Sequence, residues 1–418
     1  MNGTLEILPG IKEILDKFLN ENQMAEFLKT VYTDSDLGAS TMNLNGDYNN
    51  SFEFRENIRR QIDEVITFSE GKLDFEKQLM MLNNLGKLTI ERGEYSLAKN
   101  IYLKILKETN KRKSLDNISA YSLLALGDIY NREARWKRSL EHIDKAIKLF
   151  DSQKDAKGLA RCQNLIGAIH LGQGKIGLSS KHFEEGISHL SQKRDKSVLA
   201  MMEGNLGTLK SMQGNFDLAF TYYRRALLKF EETGNLKRIA EIRHNLGMLH
   251  TQKRQYDLAL AEFDTCLRIS LSANYLPTQG IAFLGKAFIF AQKNYLKLAK
   301  TLADRAMKIS HQLDDSLSTA EIYKVYGIIE RKSKNYLVAE NHFLTSIRIN
   351  AELENELNLA ETWVEIGLLY KDMSKNKDAN LFFKKAMTYY KKIKTESEVA
   401  RIQSLLIDNG RDSKEKLN

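Results

Sequence analysis

Two cysteines and eight histidines are the first residues that could do chemistry in this 418-residue chain. Cys162 and Cys266 lie on apolar helix faces, about 100 residues apart in sequence. A nucleophile or redox pair needs an exposed, electropositive setting. Two small hydrophobes buried in a core need nothing more, and that is the expectation. The histidines fall into columns of a repeating pattern: His142, His182 and His342 share one position, His170 and His250 another. Equivalent positions on stacked helices stand roughly 10 Å apart. That is too far for one metal ion, whose imidazole ligands bind at about 2.0–2.1 Å. The sequence holds no GxxxxGK[ST] phosphate loop, no GxGxxG after a strand, no HExxH and no GxSxG. No isolated carboxylate pair sits in an apolar setting of the kind that tunes acid–base work. The expectation is a protein that is not an enzyme and needs neither metal nor cofactor.

The elements that carry these residues repeat. A small residue with apolar flanks recurs at Gly86, Gly127, Gly167, Gly207, Gly247, Ala287, Gly327 and Gly367, spaced by 41 and then 40 residues six times. Seven residues before each of the last seven markers stands another small residue, from Ala120 to Ala360. Twelve after the markers come Ala98, Ser139, Ser179, Ala219, Ala259, Ala299, Ala339 and Ala379. Four further on stand Tyr102, Ile143, Phe183, Tyr223, Phe263, Ala303, Phe343 and Phe383. Columns in register over so much chain define an array of identical supersecondary units.

Each unit reads as a helical hairpin. Asp74, Asp155, Asp195, Asn235, Asp315 and Asn355, with Asp116 one place off, stand twelve residues before a marker. Their short polar side chains suit the N-cap of a first helix. A break follows the marker, as at Gln173-Gly174-Lys175 and Gln213-Gly214-Asn215. The i, i+4 spacing of the later columns then places them on one face of a second helix. The marker is expected where two helix backbones meet, which justifies glycine in mid-helix at a cost of about 1 kcal/mol.

This pattern resembles the tetratricopeptide repeat family. Asn84-Leu85-Gly86, Asn205-Leu206-Gly207 and Asn245-Leu246-Gly247 match its first-helix motif, and Ala219, Tyr223, Ala226 and Ala379, Phe383, Ala386 its second. The 40-residue period looks like the variety in LGN/Pins-type scaffolds and many bacterial regulators; the closing proline of many family repeats is absent. HEAT repeats share the period but not the columns. The resemblance implies an all-α, right-handed solenoid of about eight hairpins over residues 74–394. A half-repeat cap at 52–73, a capping helix at 395–408 and a polar tail at 409–418 complete the register. Residues 1–51 read as an amphipathic helix, Ile11 to Val31, and a flexible loop, Thr33 to Ser51. That helix either caps the first repeat or occupies the groove.

Composition narrows the class further. The chain has two prolines and no run of about 18 apolar residues, so neither a proline-rich linker nor a membrane-spanning helix is expected. The N-terminus carries Glu6 and Pro9 and no basic-then-apolar leader, so a cytoplasmic location is expected. Residues 1–75 hold 7 Lys/Arg against 14 Asp/Glu, and the rest 56 against 40. The basic residues are interspersed with acids, which reads as a solvated surface and not as a nucleic-acid footprint.

A stack of hairpins offers a long concave surface, lined in the family by first helices. Side chains at −6, −3, +1 and +4 from the marker are expected there: Arg161 and Asn164; Met201 and Thr208; His244 and Met248; Ile281, Leu284 and Phe288; Lys324 and Arg331. Asn205 and Asn245, in a column with Asn84, bond either an extended peptide or the neighbouring repeat. Ile281, Leu284 and Phe288 either form the apolar centre of a groove or pack on a neighbouring helix. The expected partner is a protein or peptide with an apolar centre and acidic flanks, bound by a signalling scaffold or adaptor. The alternative is a bacterial-type regulatory sensor of a signal peptide, kinase or sigma factor.

Overall fold

A computed structural model describes residues 7–34, 51–110, 112–191 and 195–415; among these, helices are the only extended regular elements. They fall into two compact units, residues 1–126 and 127–418, with the boundary inside one helix. The first unit holds α1 (Pro9–Phe18), α2 (Glu21–Asp34), α3 (Ser51–Lys72), α4 (Phe75–Glu91), α5 (Tyr95–Thr109) and the start of α6 (Asp116–Arg132). The second continues with α7 (Trp136–Ser152), α8 (Ala156–Gly172), α9 (Ile176–Ser188), α10 (Lys196–Met212), α11 (Phe216–Glu232), α12 (Leu236–Gln252) and α13 (Tyr256–Ser272). It ends with α14 (Leu276–Gln292), α15 (Leu296–Leu313), α16 (Ser316–Lys332), α17 (Tyr336–Glu352), α18 (Glu356–Asp372), α19 (Asn376–Lys392) and α20 (Glu396–Glu415). Consecutive helices pack in pairs, α8 with α9 through α18 with α19, as an all-α solenoid of hairpins requires.

Helix starts recur every 20 residues from Asp116 to Glu396. One turn is therefore used both within and between hairpins. At Gly174 the amide donates to the Leu171 carbonyl, and the Lys175 amide reaches back to His170. This bond pair satisfies carbonyls left open at the helix end and needs a left-handed residue between them. Glycine fills that place at 174, 214 and 234, but Lys154, Arg254, Asn274, Asn294, Asp314, Lys334, Glu354, Ser374 and Lys394 fill it elsewhere, all at positive φ. Only the glycine-containing breaks stood out in the sequence. Side chains of Asp74, Asp155, Asn235, Asp315 and Asn355 accept an amide hydrogen bond three residues on, as N-caps. Two expected caps differ. Asp195 accepts from the Ser191 amide instead, and Asp116 lies inside α6, after a short 3-10 turn.

Every marker glycine except Gly127, which meets Ile143, faces a ring, where a meeting of two backbones was expected. A Cβ on Gly167 would lie 2.5 Å from Phe183, on Gly207 2.7 Å from Tyr223, on Gly327 2.5 Å from Phe343 and on Gly367 2.5 Å from Phe383. Those rings are buried, so each fills the space that a marker side chain would take. The sixth hairpin exchanges both partners, Ala287 against Ala303. Its neighbour's ring, Phe263, is accommodated by Gly247 and also by Gly285, whose Cβ would come within 2.5 Å. Where the second helix carries serine, its hydroxyl donates to the marker carbonyl: Ser139 to Gly127 at 2.7 Å and Ser179 to Gly167 at 2.8 Å.

In the first unit the N-terminal segment is two helices, because the chain extends at Leu19 and restarts at Glu21. Asn20 and Gln23 exchange backbone–side-chain bonds across that restart. The Leu8 amide donates to Gln61, the Gln23 amide group to the Lys72 carbonyl, and Phe27 meets Phe68 edge-on at 5.3 Å. Ile11, Leu15 and Phe27 are buried. The apolar face of this segment is thus spent on α3 and α4, in the manner of a cap. Most of the expected loop at 33–51 lies outside the described residues. At the other end α20 runs on to Glu415, through much of the expected tail.

The second unit closes on itself. The Trp136 indole donates to the Leu353 carbonyl at 2.9 Å, across 217 residues of sequence, and the Thr395 hydroxyl donates to the Met212 carbonyl at 2.9 Å. One apolar cluster joins Leu171, Ile176 and Leu209 to Tyr389, Tyr390, Ile393 and Ile402. The helix ends after α8 and α10 therefore pack on the chain's last hairpin.

Candidate partner-binding face

First helices of successive pairs touch one another, α8 with α10 and on to α16 with α18. They form the inner layer of the second unit. The residues expected on these helices fall into three stretches.

At the α8–α10 end the side chains bond across hairpins. Asn205 donates to the Asn164 side chain at 2.9 Å, and Ser211 to Gln252 at 2.6 Å. Asn164 is buried, and Arg161 and Asn205 are half-buried. The asparagine column thus serves inter-repeat bonding at 205. Asn84, in the first unit, donates to the Met80 carbonyl of its own helix at 2.9 Å. Thr208 accepts from the Tyr223 hydroxyl at 3.0 Å.

The middle is apolar with few committed polar groups. Met248 is 40% exposed, while Met201, Ile281, Leu284 and Phe288 are half-buried. Phe288 packs on Ala259, Phe263 and Ile289, and Met201 on the Tyr223–Leu246 core. Both alternatives for this stretch hold in part: one side of Phe288 is core and the other stays accessible. His244 stands 5.5 Å from the Phe263 ring. Burial pushes its imidazole down to about 4, against weaker opposing effects from Asn245 and Glu241. It is therefore neutral at pH 7. Asn245 is half-buried, and its side-chain oxygen lies 3.4 Å from the His244 ring nitrogen.

At the α16–α18 end the cations are already neutralised, which the sequence did not reveal. Lys324 is buried and pairs with Glu321 at 2.7 Å and with Glu361. Burial alone would lower its ammonium; the two carboxylates hold it above the ordinary lysine range. Arg331 pairs with Glu365 at 3.2 Å and Asp372 at 3.6 Å. Lys332 donates to the Gln292 carbonyl. The expected attraction for acidic flanks is thus offset by this unit's own acids.

A further network was missed. Glu241 pairs with Arg238 at 2.6 Å and accepts from the Tyr275 hydroxyl at 2.7 Å. Burial raises the Glu241 carboxyl, but Arg238, Arg132 and the Tyr275 bond hold it below its usual range. The signal was present: Tyr275 stands in the column where other hairpins carry an Asp or Asn cap. The histidines also come together within a hairpin, His170 stacking on His182 at 5.3 Å. Among the described residues no group of three potential ligands surrounds a metal position. Both thiols are buried, and burial pushes each up to about 12.

Residues 198–272 match the tetratricopeptide repeat family model. No curated protein sequence matches the chain. Among solved structures, a Rap protein complexed with competence and sporulation factor superposes with a TM-score of 0.60 at 14% identity, covering 92% of this chain and 97% of that one. The Rap conjugation gene regulator of plasmid pLS20, in complex with the Phr* peptide, gives 0.56 at 16% identity over 83% and 97%. Aspartyl phosphate phosphatase F from Bacillus subtilis gives 0.51 at 13% identity over 94% and 97%. At these identities the likeness is one of fold.

Proposed function

We propose that this tetratricopeptide-repeat chain is a non-enzymatic scaffold that captures a protein segment or peptide on the inner face of α10–α14. One observation carries the reading: Met201, Met248, Ile281, Leu284 and Phe288 form an apolar stretch with adaptable methionines, beside Asn245 and a neutral His244. Such a surface suits an apolar segment whose backbone bonds to an amide. The apolar centre is the better-supported half of the ligand's description. Acidic flanks would have to compete with Glu321, Glu361 and Glu365 for Lys324 and Arg331. We place the protein in the cytoplasm, consistent with two free thiols and with no described helix long and apolar enough to cross a membrane.

The test is capture from lysate by the wild-type chain and by Met248→Asp/Phe288→Asp, with bound proteins identified by mass spectrometry. The variant is expected to lose the partner and keep its helical circular dichroism. Unchanged capture would move the binding face elsewhere. Release of phosphate from an aspartyl-phosphate protein by the purified chain would overturn the non-enzymatic reading.

A second reading is a regulatory sensor, favoured by the two similar folds whose structures hold a signalling factor or peptide. It requires a change in the Trp136–Leu353 and Thr395–Met212 closure when ligand binds, measured by small-angle scattering. A scaffold leaves that closure unchanged.

A further inference from the structure

The second helices carry a surface that the inner face does not use. Leu337 (74% exposed), Val338 (46%) and Leu344 (45%) stand on α17, and Leu381 (52%) on α19. Leu337 has the highest exposure among the large hydrophobics, and apolar groups left this open as a contiguous group mark interaction sites. Tyr370 joins the two helices: its hydroxyl donates to Glu340 on α17, and its ring stacks on Phe382 of α19 at 5.6 Å. Exposed aliphatic side chains thus stand on both of the second helices that Tyr370 links.

The outward face of α19 is basic. On α19, Lys377, Leu381, Lys384, Thr388 and Lys391 recur every three or four residues, which places them on one outward face, and all five are exposed. Lys392 is paired with Glu356 and Arg348 with Glu352. Among the described residues Lys377, Lys384 and Lys391 take part in no ion pair, and Asp378 is the one carboxylate on α19. The corresponding outward positions of α13 are Asp257, Ala261, Asp264, Arg268 and Leu271. Exposed aliphatic side chains recur at one position of the second helices, at Leu178, Leu218, Leu258, Leu298 and Val338, whereas Leu337 stands outside that column; the row of unpaired lysines is what sets α19 apart from α13.

We propose that the outward face of α17 and α19 docks an acidic amphipathic helix of a partner protein. Two neighbouring helices offer a groove into which a third can seat its apolar ridge. Its leucine-type side chains would cover Leu337, Val338, Leu344 and Leu381, while carboxylates beside that ridge would meet Lys377, Lys384 and Lys391. The charges act chiefly on partner choice and encounter rate, the apolar contact on residence time. This surface is independent of the inner face, so the two sites can be occupied together.

The experiment measures fluorescence anisotropy of a labelled synthetic helix with leucines at i, i+3, i+4 and i+7 and glutamates beside them, titrated with the full chain. A second helix of the same apolar stripe flanked by lysines is the control. The acidic helix is expected to bind and the basic one not. Binding should weaken at least tenfold in Leu337→Asp/Leu381→Asp and in Lys377→Glu/Lys384→Glu/Lys391→Glu, and should weaken with added salt. Met248→Asp/Phe288→Asp should leave it unchanged. Equal binding by the surface variants, or loss of binding in the inner-face variant, would overturn the proposal. Failure of the acidic helix to bind would overturn it too. In that case, co-sedimentation with phosphatidylglycerol vesicles abolished by the surface variants would assign the face to lipid, and self-association abolished by them would assign it to a second copy.

Discussion

Gly327→Ala tests the ring-over-glycine packing of the hairpins. In isolation the change should help: alanine in a helix interior is favoured over glycine by roughly 0.5–1 kcal/mol. Here the new Cβ would lie 2.5, 2.6 and 2.8 Å from Cε1, Cδ1 and Cζ of Phe343. Carbon atoms prefer about 3.5–4.0 Å, so the ring must retreat by about 1 Å. Phe343 is fully buried, and overpacking of this kind costs about 1–3 kcal/mol. The net expectation is a loss of roughly 0.5–2 kcal/mol. Phe343→Ala alone should cost about 3–5 kcal/mol through the cavity it leaves. With the ring gone the clash is gone, and Gly327→Ala should now stabilise by about 0.5–1 kcal/mol. The Ala287–Ala303 hairpin already combines the two small residues. The assay is urea unfolding of the four proteins of the cycle, compared by midpoint where the slopes agree. The signature is a reversal of sign between the two backgrounds, a coupling of about 1–3 kcal/mol. A Gly327→Ala effect of the same sign and size in both would refute the packing argument.

Other outcomes follow from single residues. Lys334 holds φ at +63°, a conformation that costs an L-residue about 1–2 kcal/mol; after the extra flexibility of unfolded glycine is subtracted, Lys334→Gly should gain about 0.5 kcal/mol, read as a higher Tm. Tyr389 buries its hydroxyl without a hydrogen-bond partner, so Tyr389→Phe should be neutral or stabilising by up to about 1 kcal/mol. Trp136→Phe should cost about 1 kcal/mol and enlarge the second unit in small-angle scattering, because it removes the bond to Leu353. His244 titrates at about 4 in the fold and near 6.5 when unfolded. The unfolded chain therefore binds more protons between those values, and stability present at pH 7 falls as pH drops through that window. The loss is about 3 kcal/mol once pH has fallen through the whole window, and His244→Gln should flatten the acid limb of a Tm-against-pH curve; an unchanged limb would refute it.

The sequence by itself determined the repeat. Helix-forming periodicity, asparagine and aspartate caps and small-residue columns are local chemistry, written into each unit and recopied 40 residues on. That was enough to give an all-α solenoid of helical hairpins. It was not enough to say what the marker glycines meet, because the ring at +16 and the glycine are brought together only by the turn between their helices. The turn was legible where it holds glycine and invisible where Lys334, Glu354 or Lys394 takes the same left-handed place, since those residues carry no preference for it. Charges were misjudged for a related reason. Lys324 and Arg331 look available on their own helix, and their carboxylates, Glu361 and Glu365, arrive from the next hairpin. The closure of the second unit, Trp136 on Leu353 and Met212 on Thr395, lay furthest out of reach. It follows from the small rotation accumulated at every hairpin joint, a quantity no residue specifies and only the assembled stack can sum.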